Sequence, residues 1–213
     1  MSSCTRCNKR AAKRYCPALG HKICPVCCAE DRMIELACPE SCQHLRAARE
    51  SEGHREREFR ARELPFYGKM SPLLREKLVP ALVSVDLAIV RAFREHREAG
   101  HLVIRDADVA DALDNTIKNL ETEDGGIIYE HRALSALVQD LGRRIRAALE
   151  ELNERAEGEY LSRGDMIKAL GLTRDTVRAH LLRSGGAPDS RTYIRHVSLY
   201  SPWENKEESN LII

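Results

Sequence analysis

Eight cysteines fall within the first 42 residues of this 213-residue chain, and none follows them. Thiolates are soft ligands that hold zinc in tetrahedral sites, so cysteines clustered in this way are typical of metal binding. Two cysteines three residues apart can bind one ion from a single tight turn, and the chain contains two such Cys-x2-Cys knuckles with 16 residues between them. The knuckles predict a first site of four thiolates: Cys4, Cys7, Cys24 and Cys27.

Four cysteines remain after this assignment: Cys16, Cys28, Cys38 and Cys42. They would complete a second four-thiolate site, interleaved with the first in a cross-brace. Two four-cysteine sites use all eight cysteines, which favours two structural zinc ions over one. Because Cys27 and Cys28 are adjacent, they would have to face different ions. His21 and His44 are therefore alternative ligands in place of Cys28.

A site of four thiolates is closed and leaves no coordination position for water, so these residues predict structural rather than catalytic zinc. Two alternatives stay open. A redox-active dithiol would need a βαβ context, which the sequence pattern does not show. An enzyme could use Cys24 or Cys28 as a nucleophile, although a zinc-bound thiolate is poorly available for attack and no basic partner is evident.

Residues 1–22 also carry six basic side chains and no acidic one. The basic residues are Arg6, Lys9, Arg10, Lys13, Arg14 and Lys22. They could face phosphate groups, or they could offset the charge of two four-thiolate zinc sites, each of which carries about two negative charges. On the sequence alone, we favour charge compensation.

The composition indicates a mainly α protein. Hydrophobic residues make up 43% of the chain, charged residues 31% and aromatic residues only 5%, a mixture typical of helices rather than of β-sandwiches. The formal net charge of +1 argues against a chain that is basic throughout. No apolar run approaches the roughly 18 residues that a membrane span needs, and the first residues lack the pattern of a signal peptide. We therefore expect a cytoplasmic protein without membrane contact.

Charges, prolines and glycines predict five segments. The middle segment contains three predicted helices: Leu73–Ala99, a helix with Asp106 as its N-cap, and an amphipathic helix within 131–157. The five segments are a zinc-binding module at 1–44, a charged helix or linker at 45–64, a helical domain at 65–157, a helix-turn-helix-like region at 158–200 and a tail at 201–213.

A second candidate site lies in the segment Arg163–Leu182. Its apolar residues have the spacing of a helix-turn-helix, with Gly171 where a positive φ would reverse the chain between two helices. Ser162 and Asp165 predict a capping box for the first helix, and Thr173 would cap the second. The exposed face of the second helix would then present three side chains to DNA: Arg174, Thr176 and Arg178.

The residues after this motif extend the pattern. Arg191–Tyr200 alternates and contains β-branched residues, which predicts the hairpin wing of a winged helix. Basic side chains outnumber acidic ones over 161–195, which suits contact with phosphates. One departure is Ile167, because this position is usually small where the two helices cross. The alternative is a helical hairpin that completes the core and leaves its arginines solvated.

Two resemblances add to these patterns. The cysteine segment resembles the cross-braced zinc fingers of the MYND and HIT types, which are used for protein contacts; it departs from them in the Cys27–Cys28 doublet and in lacking a C-terminal histidine pair. The whole chain resembles a bacterial family with a cysteine-rich start, in the stretch Arg14–Leu19. The resemblance to the bacterial family supports zinc binding and a bacterial origin, and it implies no particular role.

The sequence therefore predicts a mainly α, non-enzymatic protein with a small cross-braced zinc module, a helical middle domain and a winged-helix-like C-terminal region. The leading functional hypothesis is a DNA-binding or regulatory protein, in which the helix-turn-helix contacts DNA and the zinc module contacts another protein. The alternative is a protein-interaction adaptor with no nucleic-acid contact.

Overall fold

The computed structural model of the chain describes residues 2–63, 70–100, 103–125, 131, 135–155 and 161–201. Over these residues the fold is mainly helical, which confirms the fold class expected from the composition. The described residues form two compact units, one from 2–57 with 198–201 and the other from 58–197. None of the described helices has an apolar stretch long enough to cross a lipid bilayer. The predicted tail, apart from Ser201, lies outside the described residues.

Four elements shape the first unit. Strands β1 (Arg14–Cys16) and β2 (His21–Ile23) form an antiparallel hairpin. Helix α1 (Pro25–Asp31) follows β2 almost directly, and helix α2 (Gln43–Glu63) begins after a loop. The charged segment for which the sequence left both helix and linker open is therefore helical up to the end of α2.

Local residue choice explains the hairpin and the start of α1. Gly20 lies in the hairpin turn with φ +69°, a left-handed conformation that costs glycine little because it has no Cβ. Cys24 is the N-cap of α1, and its sulfur accepts a hydrogen bond from the backbone N–H of Cys27. Pro25 fixes φ at the first helical position. The turn and the cap together place the second knuckle at the N-terminus of α1.

Cysteines make up much of the core of the first unit. The buried cluster contains every cysteine except the half-buried Cys7, together with the apolar residues Ile23, Met33, Leu36, Leu45 and Leu199. A unit of this size buries too little apolar surface to fold by hydrophobic packing alone. Metal binding would therefore supply part of its folding free energy.

The chain returns to the first unit near its C-terminal end. Arg49 of α2 donates its Nε hydrogen to the carbonyl of Leu199 and forms a bidentate ion pair with Glu40. The hydroxyl of Tyr200 donates to the carbonyl of Arg49 at 3.1 Å. Hydrogen bonds therefore fix residues 199 and 200 on α2.

Four long helices form most of the second unit: α3 (Pro72–Glu98), α4 (Asp106–Asp124), α5 (Ala136–Arg155) and α6 (Arg163–Arg183). Both α3 and α4 pack against α5 and against α6, which gives a helical bundle. A short helix, α7 (Thr192–Ser198), follows α6. Helix α5 buries residues at steps of three and four, as an amphipathic helix does: Val138, Leu141, Ile145 and Leu149.

Asp106 has a different role from the predicted one. Arg105 is the N-cap of α4, and Asp106 is its first helical residue. The buried carboxylate of Asp106 accepts hydrogen bonds from the backbone N–H groups of Tyr193 and Ile194 and from the Ser190 hydroxyl. Burial raises the pKa of Asp106, and these donors oppose the rise. Asp106 therefore caps the start of α7 rather than that of its own helix.

The predicted helix-turn-helix geometry is wrong. Helix α6 is uninterrupted over the whole motif, and Gly171 does not adopt the positive φ that the turn requires. The capping box of Ser162 and Asp165 is confirmed, but Thr173, the predicted second cap, is buried within α6. The predicted wing is wrong too, because residues 192–198 form helix α7. A single interior glycine costs a helix only about 1 kcal/mol, which packing along the bundle outweighs.

Replacing Gly171 with alanine tests the continuous helix. Within the part of the chain that the structure describes, no atom beyond the neighbouring residues and backbone of its own helix lies within 4 Å of a Cβ added at this position. We therefore expect Gly171→Ala to raise the free energy of unfolding by about 0.5–1 kcal/mol through helix propensity. Urea denaturation followed by circular dichroism measures the change. A chain reversal at this residue would instead make alanine destabilising, because a left-handed backbone strains any residue with a Cβ.

Gly142→Ala on α5 is the matched control. A Cβ there would lie 3.0 Å from Thr116 Oγ1, and that buried hydroxyl already donates to the carbonyl of Ala112. The steric conflict offsets the gain in helix propensity, so we expect Gly142→Ala to be less stable than Gly171→Ala. Equal stabilisation by the two substitutions would contradict the packing of α4 against α5.

The ion pair at the start of α6 predicts a pH dependence. Asp165 accepts hydrogen bonds from Lys77 and from the hydroxyl of Ser162, and these lower its pKa from 3.8 to about 2. A carboxyl whose pKa is lowered by folding stabilises the fold above its unfolded pKa and loses that effect as pH falls through the folded value. We expect Asp165→Asn to lower the free energy of unfolding by about 1–2 kcal/mol at neutral pH.

Urea titrations at several pH values measure this effect. The difference in stability between wild type and Asp165→Asn should shrink as the pH falls from 3.8 towards about 2. Lys77→Met, which keeps Asp165, should weaken the pH dependence because it removes the largest cause of the lowered pKa. A difference that stays constant over this pH range would rule out the ion pair as its cause.

Candidate metal centre

Backbone turns bring the two knuckles together. The first knuckle is a tight turn in which the N–H of Asn8, a residue with φ +51°, donates to the carbonyl of Cys4 at 2.7 Å. The second knuckle runs from the N-cap of α1 into its first turn, with Cys24 and Cys27 at its ends. The β1–β2 hairpin lies between the knuckles in the chain and returns the second knuckle to the first.

Four sulfur atoms converge at this place. The Sγ atoms of Cys4, Cys7, Cys24 and Cys27 all lie within 4.8 Å of one another. A tetrahedral ion with metal–sulfur bonds of about 2.3 Å separates its sulfur ligands by about 3.8 Å, so the arrangement fits one ion. Three of the residues are buried and Cys7 is half-buried. The residues predicted as the first site thus form a four-cysteine group that could hold a metal ion.

Backbone N–H groups stabilise negative charge on two of these sulfurs. The N–H of Cys24 donates to Sγ of Cys4 at 3.2 Å, and the N–H of Cys27 donates to Sγ of Cys24 at 3.4 Å. Burial opposes the ionisation of Cys4, but backbone hydrogen bonds outweigh it and lower its pKa to about 6. The N–H of Cys27 is the main cause of the lowered pKa of Cys24. Both residues are therefore suited to bind as thiolates.

The thiol of Cys27 is the most difficult of these groups to deprotonate. Burial raises the pKa of Cys27 to about 12, and interactions with the neighbouring cysteine sulfurs add to the rise. Four thiolates this close to one another would repel strongly. A divalent cation reverses the balance, because it attracts every sulfur and deprotonates a coordinating thiol. The electrostatics of the group therefore favour a bound metal over four thiols.

The second predicted set is buried but converges less closely. Cys16, Cys28, Cys38 and Cys42 belong to the same buried core. Burial raises the pKa of Cys38 to about 11, and the charges of the other three add to the rise. In the described part of the chain, the group of the two knuckles is the only one with three or more ligand atoms within 4.8 Å of one another. Binding of a second ion therefore stays a prediction.

The adjacent cysteines of α1 belong to different sets. Sγ of Cys27 lies in the first group, whereas Sγ of Cys28 accepts a hydrogen bond from Arg32 at 3.7 Å and interacts with the charge of Cys38. Successive residues of an α-helix lie about 100° apart around its axis, which separates the two side chains. Helix α1 thus provides the divergence that a cross-brace requires.

The two histidines considered as ligands lie outside the first group. His21 is exposed and pairs with Cys16 across the hairpin. Burial and the positive charges of Arg14 and Arg32 lower the pKa of His44. That shift favours the neutral imidazole, which is the form that binds metal. His44 therefore remains an alternative to Cys28 in the second set.

Two arginines of the basic stretch, for which the sequence favoured charge compensation, interact with residues of the first unit. The sulfur of Cys24 raises the pKa of the nearby Arg10 guanidinium, and Arg6 forms an ion pair with Asp31 at 2.8 Å. An arginine beside a thiolate favours its charged form. The acid-free stretch at 1–22 carried this signal, but sequence alone could not show which of its six basic residues turn towards the metal site.

The predicted DNA-contacting residues lie on α6 in other surroundings. Thr176 is buried, and its hydroxyl donates to a backbone carbonyl of α6. Arg174 donates to Asp114 at 3.4 Å, and Arg178 donates to the other carboxylate oxygen of Asp114. These two ion pairs join α6 to α4. The three residues therefore contribute to helix packing, and their contact with DNA stays a prediction.

Replacing one sulfur of the first group tests the metal centre. We expect Cys24→Ser to abolish metal binding by this group and to destabilise the first unit, because its small apolar core cannot compensate for a lost ligand. Elemental analysis and limited proteolysis of the full-length protein measure the two effects. Ala29→Ser, at an exposed position on the same helix, is the matched control and should keep the metal. Full metal content in Cys24→Ser would exclude this group as the binding site.

No protein-family model, no curated protein and no solved structure matches this chain. The resemblance to cross-braced zinc fingers and to a cysteine-rich bacterial family therefore stays a prediction. What the metal centre does has to be inferred from its own residues and geometry.

Proposed function

We propose that the first unit is a structural zinc module, with two ions held in a cross-brace, and that it acts as a non-catalytic binding surface. The observation that carries this proposal is the convergence of the four knuckle sulfurs within 4.8 Å. Zinc suits four thiolates in a closed tetrahedron and brings no redox chemistry of its own. A reducing cytoplasm would keep the thiols free of disulfides and available for the metal.

The second ion would bind the remaining four cysteines. Their burial in one core, the divergence of Cys27 from Cys28, and the electrostatic interactions of Cys38 with its three neighbours all support this assignment. Two ions also leave no cysteine without a role. If the second ion takes a histidine in place of Cys28, His44 is the better candidate because it is half-buried and its pKa is lowered.

The same geometry favours a structural role over catalysis. A closed four-thiolate sphere leaves no position for a substrate or a water molecule. Cys24 and Cys28, the two candidate nucleophiles, are buried, with 0% and 8% of their surfaces exposed. The module therefore acts through the surface that it presents, where Tyr15 and Val26 are exposed large side chains.

The adaptor hypothesis and the DNA-binding hypothesis share this metal centre. The motif on which DNA binding through α6 depended is absent, because α6 contains no turn. The two arginines predicted to contact DNA, Arg174 and Arg178, pair with Asp114 instead. A partner bound by the first unit is compatible with either hypothesis. The exposed surface of the zinc module is therefore the place to look for the partner.

Zinc stoichiometry tests the proposal. Elemental analysis of the purified full-length protein should give two zinc ions per chain. Replacing Cys4 and Cys7 together with serine should remove one ion, and replacing Cys38 and Cys42 together should remove the other. A single ion that only the first pair affects would eliminate the second site. A protein purified without chelator that contains no zinc, and takes up none, would contradict the whole proposal.

A further inference from the structure

The hairpin of the first unit presents an aromatic ring between two lysines. Tyr15 is 56% exposed and pairs directly with Lys22 on the neighbouring strand. Lys13 precedes Tyr15 by two residues, and its backbone N–H continues the ladder by donating to the carbonyl of Ile23. Directly opposed residues and alternate residues of a hairpin share one face. We call the surface formed by Lys13, Tyr15 and Lys22 the hairpin face.

Four of the six basic residues of 1–22 divide into two groups. Arg6 and Arg10 are engaged internally, with Asp31 and with the sulfur of Cys24. Lys13 and Lys22 are exposed, and within the described residues neither has a side-chain hydrogen bond or an ion pair. Charge compensation within the first unit therefore accounts for Arg6 and Arg10, and it leaves the two lysines of the hairpin face available to bind an external anion.

The metal ligands would hold the hairpin face in one conformation. Cys16 ends β1, and Cys24 follows β2 directly. Each of these residues belongs to one of the two cysteine sets, so both strands are fixed beside Tyr15 and Lys22. A surface that is ordered before it binds loses little conformational entropy on binding. The hairpin face thus has the rigidity of a binding platform.

We propose that the hairpin face binds single-stranded nucleic acid, with an unpaired base stacked on Tyr15 and phosphates beside Lys13 and Lys22. An exposed aromatic ring gives sequence-tolerant stacking, and basic side chains next to it follow the phosphate backbone. A duplex offers no unstacked base to the ring. An acidic peptide would engage the lysines and leave the ring without a flat partner. The inference rests on the proposed zinc module, because the metal ligands order the hairpin.

Oligonucleotide binding by the zinc-loaded full-length protein tests the proposal. Fluorescence anisotropy with labelled oligo(dT) and oligo(rU) should show an affinity that falls with salt. Each phosphate contact contributes about −0.7 to the slope of log affinity against log salt, so Lys13→Ala combined with Lys22→Ala should flatten the slope by about 1.4. Tyr15→Leu should weaken binding by about 5- to 150-fold, whereas Tyr15→Phe should bind like wild type.

Matched controls separate the possible failures. Lys118→Ala combined with Lys168→Ala removes two exposed lysines of the second unit and should leave the slope unchanged. Zinc content is measured in the same samples: wild type without zinc contradicts the proposed module, whereas zinc-loaded wild type that binds neither oligonucleotide overturns this inference alone. Tyr15→Leu that keeps its zinc and binds like wild type would also overturn it. Polyglutamate that displaces the oligonucleotides at lower concentration than oligo(dT) itself would replace it with an acidic protein partner.

Discussion

The first unit depends on four sulfur atoms that are held at one place by two tight turns. Their convergence is unfavourable by itself, since burial and neighbouring sulfurs raise the pKa of Cys27, and the apolar core beside them is small. A cation bound by all four sulfur atoms would replace the repulsion between thiolates with attraction of each thiolate to the cation. The order of the hairpin, of the first turn of α1 and of the surface around Tyr15 would all follow from binding such a cation. The second unit has a different source of stability, because its helices bury long apolar stripes against one another.

Cysteine spacing predicted both knuckles of the first group because the geometry of each knuckle is local. A knuckle is a turn of four residues, so its two sulfurs are neighbours in almost any fold. The second set draws on residues whose relative positions depend on a loop between α1 and α2, and spacing alone could not predict how closely they approach. The same limit applies to Asp106: an acid at the start of a helix is visible in sequence, but its partner Ser190 lies 84 residues away.

The helix-turn-helix failed as a prediction for an energetic reason. Gly171 permits a chain reversal without requiring one, and a glycine inside a helix costs only about 1 kcal/mol. A reversal would have given up the packing of α6 along α3 and α4, together with the ion pairs from Asp114 to Arg174 and Arg178. Apolar spacing could not separate the two outcomes, because both bury Leu170 and Val177. The prediction of the capping box was confirmed because this motif depends only on two residues three positions apart in the chain.

The hydrogen bonds that hold Leu199 and Tyr200 on α2 make the first unit discontinuous in the chain. During synthesis, the cysteines leave the ribosome before the helical unit, and Leu199 leaves only after that unit has been made. Metal captured early would therefore hold a core that still lacks one of its apolar residues, and the module would reach its final stability only after residue 199 has been made. A premature stop codon before residue 199 would then damage the N-terminal module while sparing the cysteines themselves.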